Sequence, residues 1–419
     1  MVKRATITVF EHQKLLLKPN GLKQQHVQRL LQWNSANGDK YFQFGLNYVK
    51  FTQYVGVIQV GDKVIQVLPK ADRKEENSEA SRDRWQEALL TMLRSVHNLQ
   101  LTSTTESHLH KRRSNILDFF FGLYLSDVED LVRRGLVKRY RRTKENCNAL
   151  KGRIDFPRHI QQNLIHQERF FVEHQVYDTD HLLHALLKEA VAIVKGLAQD
   201  PAIAGRAKNI EWAFEQVRDQ RLDQGAMDRI VLDRRTQPYA RAVQLAKMIV
   251  LNHAPDIKGG SMPLIGLMFD MNVLFERFVY RQLRKAQPKF AVNELIVRGQ
   301  AKQLFWQKKH IRPDIVLDYV KEGIRQRVIV DTKWKVPANG KPSDDDLKQM
   351  FVYNIQFDAE RSVLLYPHTS SSKAVQGSYA ITVRIPNFAH HCSMDYTDLF
   401  NGNGGLMPLA GENLLKQIL

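Results

Sequence analysis

The spacing of apolar and polar positions changes along this chain. Residues 1–75 alternate in short apolar runs bounded by turn signals such as Asn37-Gly38-Asp39, a pattern typical of β-strands. One stretch, Gly21–Trp33, has helical spacing instead. We therefore predict a small β-rich N-terminal module, with strands over Ala5–Phe10, Phe42–Leu46, Tyr48–Val60 and Lys63–Leu68.

The middle of the chain follows the helical period. Across residues 82–255 the apolar side chains recur mainly at intervals of three and four, which indicates amphipathic helices. The clearest of these are Trp85–Val96, Asn115–Arg134, His181–Leu197 and Gln237–Leu251. We predict a mainly helical middle region in which Leu150–Phe156 is a candidate strand.

Residues 256–419 combine the two periods. A helix predicted over Leu264–Gln287 is followed by short runs of β-branched and aromatic residues, by a second helix over residues 343–356, and by further apolar runs. This order predicts a mixed sheet with helices on its faces. The chain as a whole is therefore predicted to be an α+β multidomain protein of three parts, 1–75, 82–255 and 256–419, with an α/β core in the last.

Two neighbouring runs near the C-terminus carry acidic residues. Asp314 precedes the run Ile315–Val320, and Asp331 lies within the run Arg327–Trp334. With a two-residue turn at Glu322-Gly323, Asp314 lies directly opposite Asp331, where Cβ atoms are roughly 5 Å apart. The two carboxylates would then share one cation, whereas a shift of register by one residue would put them on opposite faces.

Lys333 completes this pattern. It lies two positions after Asp331, so both side chains share one face of the strand while Thr332 points to the other. Mg²⁺ takes oxygen ligands, polarises phosphates and lowers the pKa of bound water, and a nearby ammonium stabilises charge on the phosphate. The pattern favours metal-dependent phosphodiester cleavage, and the alternative is a surface hairpin with exposed charges.

Two predicted helices offer further polar residues. Ser343 and Asp346 form a capping-box pattern at the start of one helix, on which Gln349 and Tyr353 share a face. Glu276 lies among the apolar residues of the other helix. Spacing leaves two roles open for Glu276, a third metal ligand or a surface partner of a neighbouring arginine.

The order of these residues resembles that of a known superfamily. Glu276, Pro313-Asp314, Asp331-Thr332-Lys333 and Gln349-x-x-x-Tyr353 together resemble the PD-(D/E)xK nucleases. More narrowly, the chain is similar to the McrC family, the nuclease subunits of McrBC modification-dependent restriction systems. Besides the hairpin, this narrower resemblance is carried by the stretches Thr8–Glu11, Tyr54–Gly61, Ile65–Lys70 and Met271–Phe278.

The resemblance implies roles and partners. The metal ligands for Mg²⁺ would be Glu276, Asp314 and Asp331, and the catalytic lysine would be Lys333. Gln349 and Tyr353 would support the site or contact the DNA backbone. The family's partner is McrB, an AAA+ GTPase that forms hexameric rings. McrC binds those rings, stimulates their GTP hydrolysis and cuts both strands of double-stranded DNA. The resemblance therefore implies a type IV restriction endodeoxyribonuclease whose N-terminal module engages the ring, with a hairpin near Asn34–Phe44 as the inserted element.

The net charge agrees with a nucleic-acid partner. The formal charge is +18 and the pI about 9.7, an excess that favours binding to an anionic polymer. The densest basic patch lies within residues 133–144 and contains no acidic residue; its members are Arg133, Arg134, Lys138, Arg139, Arg141, Arg142 and Lys144. We predict a contact with the DNA backbone here, and the alternative is a solvated helix end and loop.

Several function classes are disfavoured by what the sequence lacks. It has only two cysteines, Cys147 and Cys392, and no Cys-x-x-Cys pair, which fits a reducing cytoplasm and excludes a zinc ribbon. It contains no Walker-type G-x-x-x-x-G-K-[ST], so another protein must supply any GTP hydrolysis. No signal-peptide core or membrane-length apolar stretch is present, so we expect a cytoplasmic protein. Two alternatives stay open: a non-catalytic adaptor of an AAA+ ring, and a stand-alone nuclease of the same fold.

Overall fold

The computed structural model describes residues 6–17, 21–70, 78–97, 116–254, 262–289, 294–337, 340–368, 374–380, 390–400 and 410–419. These residues contain eleven α-helices together with parallel and antiparallel strands, so the predicted α+β class is confirmed. No helix among them is long and apolar enough to cross a bilayer.

The described residues form two compact units. One is drawn from residues 101–267, and the other from residues 5–100 together with 268–419. The helix Glu79–His97 belongs to the second unit because it packs against the helix Met271–Ala286. These boundaries differ from the predicted ones at 82 and 256, and the functional division into three parts stays a prediction.

The first unit contains a group of packed helices. Their bounds are Ile116–Arg134, Leu182–Leu197, Pro201–Glu211, Gln224–Asp228 and Ala240–Leu251. Their apolar faces are buried as the spacing predicts, and the phenylalanines of the first helix are among the most buried side chains of the protein. The strand Leu264–Asp270 begins in this unit, where it pairs antiparallel with His253–Ala254.

The same unit contains an antiparallel sheet that the pattern of apolar residues does not predict. Its strands are Arg139–Cys147, Phe170–Asp178 and Arg153–Ile154, and the helix Phe156–Asn163 lies beside it. The predicted strand Leu150–Phe156 is therefore wrong in its length. Arg139–Cys147 is polar at nearly every position because much of it is exposed, so its sequence has no apolar alternation.

The N-terminal part of the second unit is rich in strands, as predicted. They are Thr6–Phe10, Lys14–Leu16, Phe42–Phe44, Tyr48–Phe51, Tyr54–Val60 and Lys63–Leu68, with one helix at Gln24–Ala36. The predicted hairpin near Asn34–Phe44 is wrong. Buried Asn34 lies in the last turn of the helix and organises a loop, because its amide donates to the Phe42 carbonyl (2.8 Å) and accepts from the Tyr41 N–H (3.1 Å).

The rest of the second unit is built on a mixed six-stranded sheet. Its strands lie in the order Ile296–Gly299, Ile315–Lys321, Ile324–Thr332, Arg361–Pro367, His391–Thr397 and Val375–Ser378. The third, fourth and fifth of these strands are parallel to each other, and the remaining pairs are antiparallel. The predicted mixed sheet is confirmed. A separate two-stranded hairpin is formed by Gln303–Trp306 and Lys309–Ile311.

Three helices accompany this sheet, at Met271–Ala286, Asp344–Phe357 and Ala410–Ile418. The first is shorter than predicted, because Asp270 caps it by accepting from the Asn272 and Val273 N–H groups. The residues before Asp270 form the strand Leu264–Asp270 instead of the predicted helical turns. The predicted capping box is confirmed in its N-cap half, because the Ser343 hydroxyl accepts from the Asp346 N–H at 3.2 Å. The Asp346 carboxylate pairs with Lys333 and Lys335 instead of completing the box.

The predicted register of the hairpin is confirmed. Lys321 pairs with Ile324 and Ile315 with Val330. The two turn residues Glu322 and Gly323 have φ of 53° and 78°, the left-handed values of a type I′ turn. Glu322 therefore adopts a conformation that ordinarily favours glycine or asparagine.

Candidate functional site

The hairpin register determines where the acidic residues lie. Continued by one position beyond Ile315 and Val330, it places Asp314 opposite Asp331, at the end of the six-stranded sheet. A cavity of about 190 Å³ opens there. It is lined by Asn272, Val273, Glu276, Arg312, Asp314, Asp331, Thr332, Lys333, Gln349 and Tyr353. All six residues predicted for catalysis or its support therefore border one cavity.

Asp331 and Lys333 form a buried ion pair in this cavity. The Lys333 Nζ is 2.6 Å from Asp331 Oδ2, and Asp331 is only 3% exposed. Burial, followed by the charge of Asp314, raises the pKa of Asp331 to about 7, although Lys333 acts in the opposite direction. Two carboxylates held close together with little solvent are the condition under which a cation binds most favourably.

The ammonium form of Lys333 is strongly favoured. Burial alone would lower the pKa of Lys333, but the charges of Asp331 and Asp346 outweigh it and raise the pKa. Asp346 Oδ1 is 3.5 Å from the Lys333 Nζ, and Asp346 Oδ2 is 2.6 Å from the Lys335 Nζ. Lys333 is therefore a fixed positive charge between two carboxylates.

Asp314 is held by the end of the neighbouring strand. Its Oδ2 accepts from both the backbone N–H and the hydroxyl of Thr332, each at 2.7 Å. The prediction that Thr332 points away from the site is wrong, because its strand ends at this residue and its hydroxyl reaches Asp314. These two hydrogen bonds orient one oxygen of Asp314 and leave the other for a ligand.

Glu276 approaches the cavity from the helix Met271–Ala286. Its Oε1 accepts from the Gln300 Nε2 at 2.7 Å. Burial and then the nearby negative charge of Asp314 raise the pKa of Glu276. The geometry therefore favours the interior role of Glu276 over a surface pair with an arginine.

Gln349 and Tyr353 continue the network on the helix Asp344–Phe357. Lys333 Nζ donates to Gln349 Oε1 at 3.0 Å, and Gln349 Nε2 donates to the Tyr353 hydroxyl at 2.9 Å. The Tyr353 hydroxyl donates in turn to the Arg312 carbonyl at 3.3 Å. This chain of hydrogen bonds links the lysine to the residue before Pro313-Asp314, so it fixes both strands of the hairpin relative to each other.

Two residues of this site were not predicted as functional. Asp346 was interpreted only as part of a helix cap, yet it pairs with Lys333 and Lys335. Its position one helical turn before Gln349 was the available signal. Gln300 follows the strand Ile296–Gly299, and nothing in its sequence surroundings indicated that it would reach Glu276.

The donor set fits a hard divalent cation. Glu276, Asp314 and Asp331 offer carboxylate oxygens, the ligands that Mg²⁺ prefers, and the cavity has room for water beside them. Across the described part of the chain, no three His, Cys, Asp or Glu side chains converge to ligand distance. The negative charge of Asp331 is compensated by the Lys333 ammonium, which forms a direct ion pair with it.

A buried hydrogen bond joins Glu11, the residue after the strand Thr6–Phe10, to Trp334, the residue after Lys333. Trp334 Nε1 donates to Glu11 Oε1 at 2.7 Å, and the Lys70 N–H donates to the same oxygen at 2.9 Å. Trp334 also packs edge-on against Trp85 and Phe275. The residue next to Lys333 is therefore anchored in the core, which fixes the backbone that carries the lysine.

The predicted basic patch lies at the end of one helix and along the strand Arg139–Cys147. Five of its seven residues pair with carboxylates. Arg133 pairs with Asp130, Arg139 with Asp233 (3.3 Å), Arg141 with Asp178 (2.8 Å), Arg142 with Glu173 (3.9 Å) and Lys144 with Asp155 (3.0 Å). Contact of this patch with DNA stays a prediction.

Comparison with known proteins gives consistent results. The family model described as "McrBC 5-methylcytosine restriction system component" matches residues 49–367. The "Type IV methyl-directed restriction enzyme EcoKMcrBC" of Escherichia coli (strain K12) is 21% identical over 283 residues, which are 64% of this chain and 81% of that protein.

Two solved structures share the fold. A refined half-complex from the tetradecameric assembly of Thermococcus gammatolerans McrB AAA+ hexamers with bound McrC matches with a TM-score of 0.72 and 20% identity, over 99% of this chain and 100% of that one. The cryo-EM structure of the T. gammatolerans McrBC complex matches with a TM-score of 0.52 and 20% identity, over 69% and 90% of the two chains.

Proposed function

This chain belongs to the family of McrBC 5-methylcytosine restriction system components, and from that premise we propose that it is the nuclease subunit of such a system. It would act as a magnesium-dependent endonuclease that cuts both strands of DNA. The observation that carries the proposal is the cavity where buried Asp331 faces Asp314 with Lys333 alongside. A site kept only as a relic has no physical need to keep two crowded carboxylates buried beside an ammonium.

The residues of the cavity divide into those that would bind the metal ion and those that would position and stabilise the phosphate. Glu276, Asp314 and Asp331 would hold Mg²⁺, which when bound supplies Lewis-acid polarisation of the phosphate and a more acidic water. Lys333 is kept in the cavity by Gln349 and Asp346, at 3.0 and 3.5 Å. From there its ammonium would donate to a phosphate oxygen and stabilise the charge that develops during cleavage.

The partner proposed for this chain is an AAA+ GTPase hexamer of the McrB type. The T. gammatolerans McrC that shares the fold is described as bound to McrB AAA+ hexamers. The present chain contains no Walker-type phosphate loop, so GTP hydrolysis would come from the partner. We assign the contact with the ring to the β-rich residues 1–75, whose strand Thr6–Phe10 is followed by the Glu11 that holds Trp334.

The experiment that tests this proposal compares two isosteric variants on the same hairpin. Asp331→Asn removes a predicted metal ligand, and Asp318→Asn removes a carboxylate that pairs with Arg298 and Arg327 away from the cavity lining. Each is co-expressed with the partner GTPase and assayed on methylated plasmid with GTP and Mg²⁺. We expect Asp331→Asn to reduce cleavage by about 10³-fold or more, because loss of a catalytic metal removes several kcal/mol of charge stabilisation.

The control readouts separate the alternatives. Asp331→Asn should still assemble with the partner and stimulate its GTPase, and Asp318→Asn should cut within a few-fold of the parent. Full cleavage by Asp331→Asn would contradict the proposed site. A parent complex that stimulates GTP hydrolysis without cutting any DNA would indicate an adaptor, and cutting without GTP or partner would indicate a stand-alone nuclease.

A further inference from the structure

A short hairpin with unusual surface composition directly precedes the cavity. It is formed by Gln303–Trp306 and Lys309–Ile311, and a bulge between Leu304 and Trp306 leaves an extra residue on its first strand. Leu304, Phe305 and Trp306 are 58%, 50% and 57% exposed. A contiguous exposed patch of large apolar side chains is typical of an interaction site.

The charged side chains of this hairpin and its flanking residues are all positive. No acidic residue occurs between Glu294 and Asp314. Lys302, Lys308 and Lys309 are exposed, and in the described part of the chain no carboxylate lies within ion-pair distance of them. The Lys309 Nζ lies 5.6 Å from the centroid of the Trp306 ring. The hairpin thus differs from the basic strand of the first unit, where carboxylates already neutralise most of the charge.

The hairpin is also fixed to the cavity at both of its ends. Before it, the Gln300 N–H donates to the Asp314 carbonyl at 2.8 Å, and the Gln300 side chain donates to Glu276. After it, the Arg312 carbonyl accepts from Tyr353. Partly buried Ile311 packs against the core beneath the helix Asp344–Phe357. Whatever the hairpin binds is therefore held at a defined place relative to Asp314.

From this placement we infer that the hairpin Gln303–Ile311 is the element that grips the DNA duplex beside the scissile phosphate, with its lysines on the backbone and Trp306 in a groove. The inference rests on the proposed nuclease function and deepens it. A two-stranded ribbon has the width of a DNA groove, lysines bind phosphates without reading sequence, and exposed apolar residues pack against sugars or wedge between base steps. A protein partner would explain the apolar residues but not an unbalanced positive charge beside a phosphodiester site.

The experiment measures DNA binding in the assembled complex, with Asp331→Asn present to prevent cutting. The probe is a fluorescein-labelled 30-bp methylated duplex, titrated at several salt concentrations. The Lys308→Gln/Lys309→Gln double variant should lower the slope of log K against log salt by about 2, because each lost phosphate contact contributes about 0.9. Trp306→Ala should weaken binding about tenfold and leave the slope unchanged, because an aromatic contact displaces no counterions.

Matched controls come from exposed residues elsewhere. Lys321→Gln removes an exposed lysine at the far end of the catalytic hairpin, and Trp212→Ala removes a tryptophan that is 70% exposed. Both should bind within twofold of the parent, and all variants should melt at the parental temperature because their side chains are exposed. In complexes with an intact Asp331, the lysine variant should raise KM for DNA more than it lowers kcat.

Three results would overturn the inference, and they are distinguishable. Hairpin variants that bind and cut DNA like the parent would remove its basis. Loss of assembly with the partner or with a second copy, measured by mass photometry while DNA affinity is retained, would make the hairpin a protein-docking surface. If the parent complex itself neither binds nor cuts methylated DNA, the proposed function fails, and the inference fails with it.

Discussion

Both units of this protein contain clusters of charged side chains, but the charges of the two clusters are compensated differently. In the first unit, Arg141 forms a bidentate pair with Asp178, and Lys144 lies between Asp155 and Glu173. These pairs are partly exposed, and each cation lies against carboxylates of opposite charge. In the second unit, Asp331 is buried opposite a second carboxylate, and the Lys333 ammonium pairs with it.

We interpret this difference as one between charge that stabilises a fold and charge that is arranged for a proposed catalytic site. Exposed pairs between opposite charges contribute little and perturb pKa values modestly. Buried like charges beside a cavity are costly unless a ligand relieves them, and such crowding is therefore more typical of functional sites than of scaffolds. In the sequence the basic residues form a dense patch, but the structure pairs most of them with carboxylates, so the acidic strand end is the more unusual feature.

The largest expected effect comes from removing the ammonium of the crowded site. Lys333→Met should reduce DNA cleavage by about 10³-fold, because it removes a donor aimed at the phosphate. It should not weaken the affinity for Mn²⁺, because it takes away a positive charge that competes for Asp331. Single-turnover cleavage and Mn²⁺ titration of the same preparation check both parts. Weaker Mn²⁺ binding by Lys333→Met would show that the lysine orders the ligands and would count against this division of roles.

A second prediction concerns a buried group of the first unit that carries no charge. His184 is completely buried, its Nδ1 donates to the Thr179 carbonyl at 2.8 Å, and burial followed by His181 lowers the pKa of His184 to about 4. The unfolded chain takes up this proton near pH 6.5, whereas the native unit takes it up only near pH 4. Stability is therefore lost as pH falls from about 6.5 to about 4, by up to about 3 kcal/mol.

Hydrogen exchange of the helix Leu182–Leu197 measures this effect locally. In the parent protein the opening free energy of the helix should fall steadily across that pH range. His184→Phe should remove that part of the pH dependence, because the ring that titrates in the unfolded state is gone. An unchanged slope in the variant would mean that other groups govern acid sensitivity in this unit.

The smallest effect is expected on the basic strand. Arg141→Gln breaks the bidentate pair with Asp178, and we expect a loss of stability below about 1 kcal/mol because both side chains are partly exposed. DNA affinity should change by less than about threefold, because the carboxylate already compensates the charge. Fluorescence anisotropy beside a urea titration checks both quantities. A tenfold loss of DNA affinity would support the contact between this strand and the DNA backbone that the sequence predicts.

The part of the site that lies on one local motif was predictable from sequence. Strand alternation and the turn at Glu322-Gly323 were enough to set Asp314 against Asp331, because hairpin register depends on neighbours along the chain. The Ser343 N-cap gave the start of the helix that carries Gln349 and Tyr353 for the same reason. These predictions rest on contacts between residues close in sequence.

The features that the sequence did not predict depend on contacts that sequence spacing does not encode. Gln300 reaches Glu276, and Trp334 reaches Glu11, only because the fold brings distant segments together. The strand Arg139–Cys147 lacked apolar alternation because most of its side chains are exposed. The strand Leu264–Asp270 was assigned to a helix because its apolar run continues into the true helix after Asp270.

The most direct test of the central claim is Mn²⁺ binding measured by electron paramagnetic resonance on the full-length protein without DNA. Mn²⁺ takes the same oxygen ligands as Mg²⁺ and reports occupancy without relying on cleavage. We predict that the parent protein and Asp318→Asn bind Mn²⁺ with equal affinity, and that Asp331→Asn binds it at least about tenfold more weakly. Equal binding by Asp331→Asn, or no binding by the parent, would contradict a cation site between Asp314 and Asp331.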